Sequence, residues 1–441
     1  MKSLSPLLLC ALAFPLLAAE EPKKPAPPPP ERCESVTVDD PKLKTAIDDC
    51  IRRGVNWLKD AQLPTGAWSP LDPSKAYEGL TGAVYNYQPD ITALSLLALL
   101  KCDVPDTDAH IVRGFAWLRK QAPGMTYTAA ICIMALEAKY APKEAIAPKG
   151  GAKTPKVKPA LMKLPDEDLK FATSLVGKIL SFQHACGGWR YGGAIPTDMA
   201  NKKPGVADVS ATQYAIMGLK LAKRMGVPVD SKVFTRAADF LLEQQESTGK
   251  VVARITDRRE EDDDKELAEG YGDKVRGWAY MKGHMNAEEA TASAGMTCAG
   301  LAGIIICRSE IIEDKPSEER TKRLAKIDHA IWDGLAWLDA NWSVETNTPR
   351  SNLQEFGYYL YALERVGVMA DLRYIGPGHD WYLQGAKTWT TSMQEDGKDK
   401  GFWAIGRGRM KIELQVTPYG LLFLRKASVK VGYSVGEADE K

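Results

Sequence analysis

Few residues in this 441-residue chain have the type and spacing to do chemistry. Asp208 opens the segment Asp208-Val209-Ser210-Ala211-Thr212, directly before an apolar run. A carboxylate there can act as an acid in apolar surroundings or cap the helix that follows. Aromatic residues gather at three places: Trp189 with Tyr191, Trp278 with Tyr280, and Tyr358 with Tyr359. Such rings can line an apolar pocket and stabilise a cation, or they can fill the space between helix layers. The histidines at 110, 184, 284, 329 and 379 are isolated, and the eight cysteines follow no metal-ligand rhythm. No phosphate loop, His-Glu-x-x-His or Gly-x-Ser-x-Gly occurs. The sequence therefore predicts no cofactor and no metal. Lys and Arg number 58 against 57 Asp and Glu, a net charge of +1, which excludes nucleic acid as a partner on electrostatic grounds.

The elements that must position these residues repeat. Arg53-Gly54-x-x-Trp57-Leu58 leads to Gln62 and then Gly66-Ala67-Trp68. The same pattern, more or less degenerate, is anchored at Gln121, Gln183, Gln245, Trp342 and Gln394, with Trp189 and Trp403 completing the third and sixth copies. The early anchors lie roughly sixty residues apart, and six copies of one pattern mean a repeat architecture. Each anchor follows an amphipathic segment and precedes one that is apolar nearly all round, near 91–100, 127–136, 209–219, 293–306, 353–363 and 414–424. An all-apolar helix is a buried helix. Each copy therefore predicts a hairpin with one partly exposed and one buried helix. Six hairpins closed into a ring bury every inner helix without end caps, giving an all-α, (α/α)6 toroid.

The repeat resembles the QW repeat of squalene–hopene and oxidosqualene cyclases over roughly residues 45–427. The chain is also similar to secreted bacterial proteins carrying prenyltransferase/squalene-oxidase repeats. The resemblance implies a terpenoid cyclase-like toroid with a central cavity. It also implies that the anchor residues Gln62, Trp68, Gln183, Gln394 and Trp403 tie neighbouring outer helices together. At 208–212 the cyclases carry Asp-x-Asp-Asp-Thr, whose middle Asp protonates the alkene. Asp208 and Thr212 match the ends of that motif, but Ser210 stands at the proton donor and Ala211 at the third Asp. A serine hydroxyl is far too weak an acid for that step. The Asp-x-Cys element of the related prenyltransferases and the Cys-Gly-Glu-Gln of thioester domains are also missing.

The chain ends complete the sequence-level picture. Lys2 followed by the apolar run Leu7–Ala19 reads as a signal peptide over residues 1–19, so the protein is expected to be exported to the periplasm or beyond the cell. Left uncleaved, that segment would hold the chain at a membrane. Residues 20–41 form a proline-rich tether, 42–430 a single toroid domain, and 431–441 a tail. A basic stretch at 143–163 and an acidic insertion at 257–269 read as surface loops. Three functions are open at this level. One is binding of an apolar or isoprenoid-like ligand, or a peptide, in a cavity lined by Trp189, Tyr191, Thr212, Trp278, Tyr280, Tyr358 and Tyr359. Another is a divergent cyclase (isomerase or lyase) using Asp208 as its catalytic acid. The third is an envelope scaffold that engages a protein partner.

Overall fold

The computed structural model describes residues 40–69, 77–78, 84–85, 88–121, 124–142, 161–191, 207–252, 273–312, 314–350, 355–376, 378–393, 401–403 and 413–428. The signal segment, nearly all of the tether and of the basic stretch, the acidic insertion, the tail and Gln394 lie outside these residues.

Helix formation follows the two hydrophobic patterns. α1 (Pro41–Asp60) buries Leu43, Ile47, Cys50, Gly54 and Leu58, a stripe at three- and four-residue spacing. Asp40 caps it by accepting the Lys42 and Leu43 amides, and proline occupies its first position. α2 (Gln88–Lys101) is instead buried almost throughout. The alternation continues through α3 (Ala109–Leu118), α4 (Thr126–Tyr140), α5 (Asp166–Ser181), α6 (Val209–Arg224) and α7 (Ser231–Gln244). After the single turn α8 (Ala287–Ala290) come α9 (Ala294–Ile311), α10 (Glu318–Ala340), α11 (Phe356–Met369), α12 (Trp381–Ser392) and α13 (Glu413–Leu424). α9 is apolar and long enough to cross a bilayer, but every one of its residues is buried inside the protein. Three two-residue antiparallel hairpins decorate the connections: β1–β2 (Tyr77–Glu78, Val84–Tyr85), β3–β4 (Val251–Val252, Asp273–Lys274) and β5–β6 (Tyr374–Ile375, His379–Asp380).

The inner helices α2, α4, α6, α9, α11 and α13 pack each on the next, and α13 returns to α2. The outer helices α1, α3, α5, α7, α10 and α12 lie on this ring, most of them wedged between two inner neighbours. The architecture is an all-α, (α/α)6 toroid. The repeat glycine of the outer helices has a packing reason. A Cβ on Gly54 would fall 2.9 Å from the Leu421 side chain, one on Gly114 2.7 Å from Leu96, and one on Gly385 2.3 Å from Phe423. Outer and inner helices thus approach closer than any larger residue allows.

Ring closure reuses a contact found inside the chain. Gly66, Gly187 and Gly401 adopt φ of 95°, 94° and 103° and lie against the carbonyls of Arg113, Arg236 and Arg53, each on the next outer helix around the ring. The contact between the sixth and first repeats is therefore the one made between the first and second and between the third and fourth.

Candidate functional site

Four of the repeats carry an identical hydrogen-bonded clamp. The indole Nε1 of Trp68 donates to Leu58 O, that of Trp189 to Ile179 O and that of Trp278 to Leu241 O, each at 2.7 Å; Trp403 donates to Trp389 O at 2.8 Å. Each tryptophan's backbone N–H donates to a threonine on the adjoining inner helix: Trp68 to Thr92 at 3.0 Å, Trp189 to Thr212 at 2.9 Å, Trp278 to Thr297 at 3.1 Å and Trp403 to Thr417 at 3.0 Å. All eight residues are fully buried. The clamp joins an outer helix, through its tryptophan, to an inner one.

The glutamines make the link between neighbouring outer helices. Gln62 Nε2 donates to Gly66 O and to His110 O on α3, both at 2.9 Å, and Gln183 Nε2 to Gly187 O at 2.8 Å and Val233 O on α7 at 3.1 Å. Gln245 does the same toward Arg276 O and Ala330 O on α10. Gln121 bonds back to its own helix at Trp117 O. Trp342, which replaces the fifth glutamine, stacks on His379 with ring centroids 4.6 Å apart and donates to Gln384 Oε1 on α12.

These contacts place several of the expected cavity residues elsewhere. Thr212, Trp189 and Trp278 belong to the clamp, and Thr212 sits in the wall between helix layers because its hydroxyl is needed by the Trp189 amide. Tyr359 is buried behind the ring, with its hydroxyl donated to Ser343 O at 2.6 Å. The remaining residues gather at the amino end of the inner helices. Tyr127, missed in the sequence reading, stacks on Tyr191 at 5.4 Å, and its hydroxyl meets Ser210. Ser210 Oγ is in turn 2.9 Å from the Tyr358 hydroxyl, which donates to Gln213 Oε1 at 3.1 Å. The Ser210 hydroxyl is thus held between two tyrosines. Asp208 caps α6 through the Ala211 amide, while the side chain of Tyr280 faces its carboxyl group. Burial is the main cause that pushes the Asp208 carboxyl up to about 7.

Deeper in the ring, Tyr214, Tyr358, Tyr361 and Tyr419 fill the axis around Arg365 on α11. The guanidinium carbon lies 4.0 Å from the Tyr361 ring centroid and 5.0 Å from that of Tyr214. Beyond this layer, at the carboxyl end of the inner helices, a small cavity of about 50 Å³ opens. Every inner helix contributes to its wall: Leu97, Met134, Met217, Ile306, Met369 and Leu422 supply the apolar surface, and Arg365 and Tyr361 close it toward the axis. Lys101, Glu137, Lys220 and Arg224 stand at its edge. They are paired: Glu137 lies 2.6 Å from Arg224 Nη1 and 3.6 Å from Lys101 Nζ, and Glu310 takes both Lys220 and Lys223. Cations at these positions also answer the negative ends of the inner helices.

The sequence signal for this end is slight. Arg365 reads as one half of an ordinary Glu-Arg pair on a helix, and only ring closure buries it. Among the described residues, no three of His, Cys, Asp and Glu cluster as metal ligands would.

No family model matches the chain, and no curated protein matches it. Among solved structures, it is similar to a crystal structure of an unsaturated glucuronyl hydrolase specific for heparin, with a TM-score of 0.47 and 10% sequence identity over 87% of this chain and 96% of that one.

Proposed function

We propose that this chain is an exported, terpenoid cyclase-like toroid that holds an apolar or isoprenoid-like small molecule in the cavity at the carboxyl end of its inner helices, without cyclising it. The observation that carries the reading is the cavity wall. All six inner helices converge on one predominantly apolar pocket, so a single ligand there would touch every repeat of the ring. The argument against cyclisation is acid strength. Ser210 shares its hydroxyl with Tyr127 and Tyr358, and Asp208 spends one carboxylate oxygen on the Ala211 amide. The leader at 1–19 and the proline-rich segment at 20–41 support a periplasmic or extracellular place, tethered if the leader is retained.

A second reading, an envelope scaffold that binds a protein partner, draws support from the tyrosine layer, which fills the middle of the ring with side chains. Mass spectrometry of an organic extract from the protein, purified from its own source, separates the two. A stoichiometric apolar compound is expected. An empty protein would sink the ligand reading in favour of the scaffold. In a companion assay squalene should be returned unchanged; a hopene-like product abolished by Asp208→Asn would overturn the non-cyclising part.

A further inference from the structure

The inner end of the cavity carries a feature that an apolar ligand alone does not use. Arg365 is fully buried and lines the cavity. A guanidinium has five N–H donors. Here Nη2 reaches the Tyr214 hydroxyl at 3.3 Å, Nη1 has only the Met217 sulfur at 3.6 Å, and Nε has no acceptor. Among the described residues no carboxylate forms an ion pair with it. Its sequence neighbour Glu364 feels its charge but makes its hydrogen bonds elsewhere, accepting the Ser428 amide at 2.9 Å and the Ser428 hydroxyl at 2.6 Å. Two sets of buried charges at this end are compensated by ion pairs, Glu137 with Lys101 and Arg224, and Glu310 with Lys220 and Lys223. Arg365 has no such ion pair. A buried charge without a counter-charge is costly. The Tyr361 and Tyr214 rings offset part of that cost through cation–π attraction, but they supply no acceptor for the remaining N–H groups.

We propose that the molecule held in this cavity is an amphiphile with an anionic head, a carboxylate or a phosphate, bound by Arg365, its apolar body lying against Leu97, Met134, Met217, Ile306, Met369 and Leu422. The inference rests on the cavity reading above and deepens it by naming the head group. Arginine suits this task because its planar fork matches two oxygens of either anion.

The test is calorimetric titration of the purified full chain with decanoate, decyl phosphate and decanol, three ligands with the same tail. The expected result is at least tenfold tighter binding of one or both anions than of decanol, and the tighter of the two identifies the head group. Arg365→Gln should bring the anions down to the decanol level and leave decanol unchanged, and Arg365→Lys should restore only part of the advantage. Equal binding of all three by the wild type would overturn the anion proposal while leaving the apolar cavity standing. Failure of all three to bind would overturn the cavity reading itself. An anion advantage that survives in Arg365→Gln would remove Arg365 from the role. If that variant does not fold, the wild-type comparison still decides whether the head group is anionic.

Discussion

Replacing each clamp threonine by valine tests the repeat geometry four times over in one molecule. Thr92, Thr212, Thr297 and Thr417 are fully buried, and each accepts the backbone N–H of a fully buried tryptophan at 2.9–3.1 Å. Valine has nearly the same shape, so the substitution opens no cavity and changes helix propensity little. What remains is an amide without an acceptor in a site closed to water. Leaving such a group unsatisfied costs about 1–3 kcal/mol. Each of the four variants should therefore lose about that amount in urea unfolding, with a lowered midpoint and an unchanged slope. Thr173→Val is the control. It sits on the outside of α5 with its hydroxyl on Leu169 O, and should change stability by less than about 0.5 kcal/mol. Because the clamps lie in different repeats, the double variant Thr92→Val with Thr297→Val should show the sum of the two losses. Four variants indistinguishable from the control would refute the claim that the clamp holds the layers together.

Two further perturbations follow from the site and the seams. Burial raises the Asp208 carboxyl from 3.8 to about 7, so the native state holds this proton more tightly than the unfolded chain does. The stability contributed by the protonated acid is complete below about pH 4 and is lost as pH rises through about 7. Asp208→Asn keeps a good helix cap, so it should match the wild type at pH 4 and exceed it by about 1–4 kcal/mol at pH 8. Parallel stability–pH curves for the two proteins would contradict the buried neutral acid. Gly187→Ala puts a Cβ 2.1 Å from Arg236 O at a φ of 94°, whereas Gly226→Ala, at a φ of 81°, meets nothing within 4 Å. Thermal and urea unfolding should show a cost of about 1 kcal/mol for Gly226→Ala and at least about 2 kcal/mol for Gly187→Ala. Equal losses would mean that the close approach between repeats carries no weight.

The ring could be read from the sequence because its inner helices are buried on all sides and must be apolar on all sides. The segments anticipated at 91–100, 209–219 and 414–424 fall within α2, α6 and α13. The anchor glutamines were visible as residues, although their partners, the carbonyls of His110 and Val233, are set by tertiary packing. The threonine clamp escaped notice because the connection between tryptophan and threonine varies, with separations of 24, 23, 19 and 14 residues. Thr212 stands at the end of the Asp208–Thr212 segment as a catalytic motif would have it, but the other three threonines show that its place is architectural. The cavity escaped for a different reason. Trp189 and Trp278 drew attention as large aromatic rings, but a tryptophan whose N–H must bond a helix carbonyl belongs to a wall. The open space is lined by leucine and methionine, which look like any other core residues until the ring is closed.

The contact of Gly401 with the Arg53 carbonyl makes the start and finish of the polypeptide a matter of bookkeeping. The junction of the sixth and first repeats is built like two of the junctions inside the chain, so the closing seam is no weaker in kind than a covalently connected one. Asp40 before α1 and Ser428 after α13 both lie at the ends of ring helices. A circular permutant that joins these ends and opens the short turn at 225–230 would keep every seam. Cutting out one hairpin has the opposite effect, because it removes two seams at once and leaves two helices facing partners they do not meet in the intact ring.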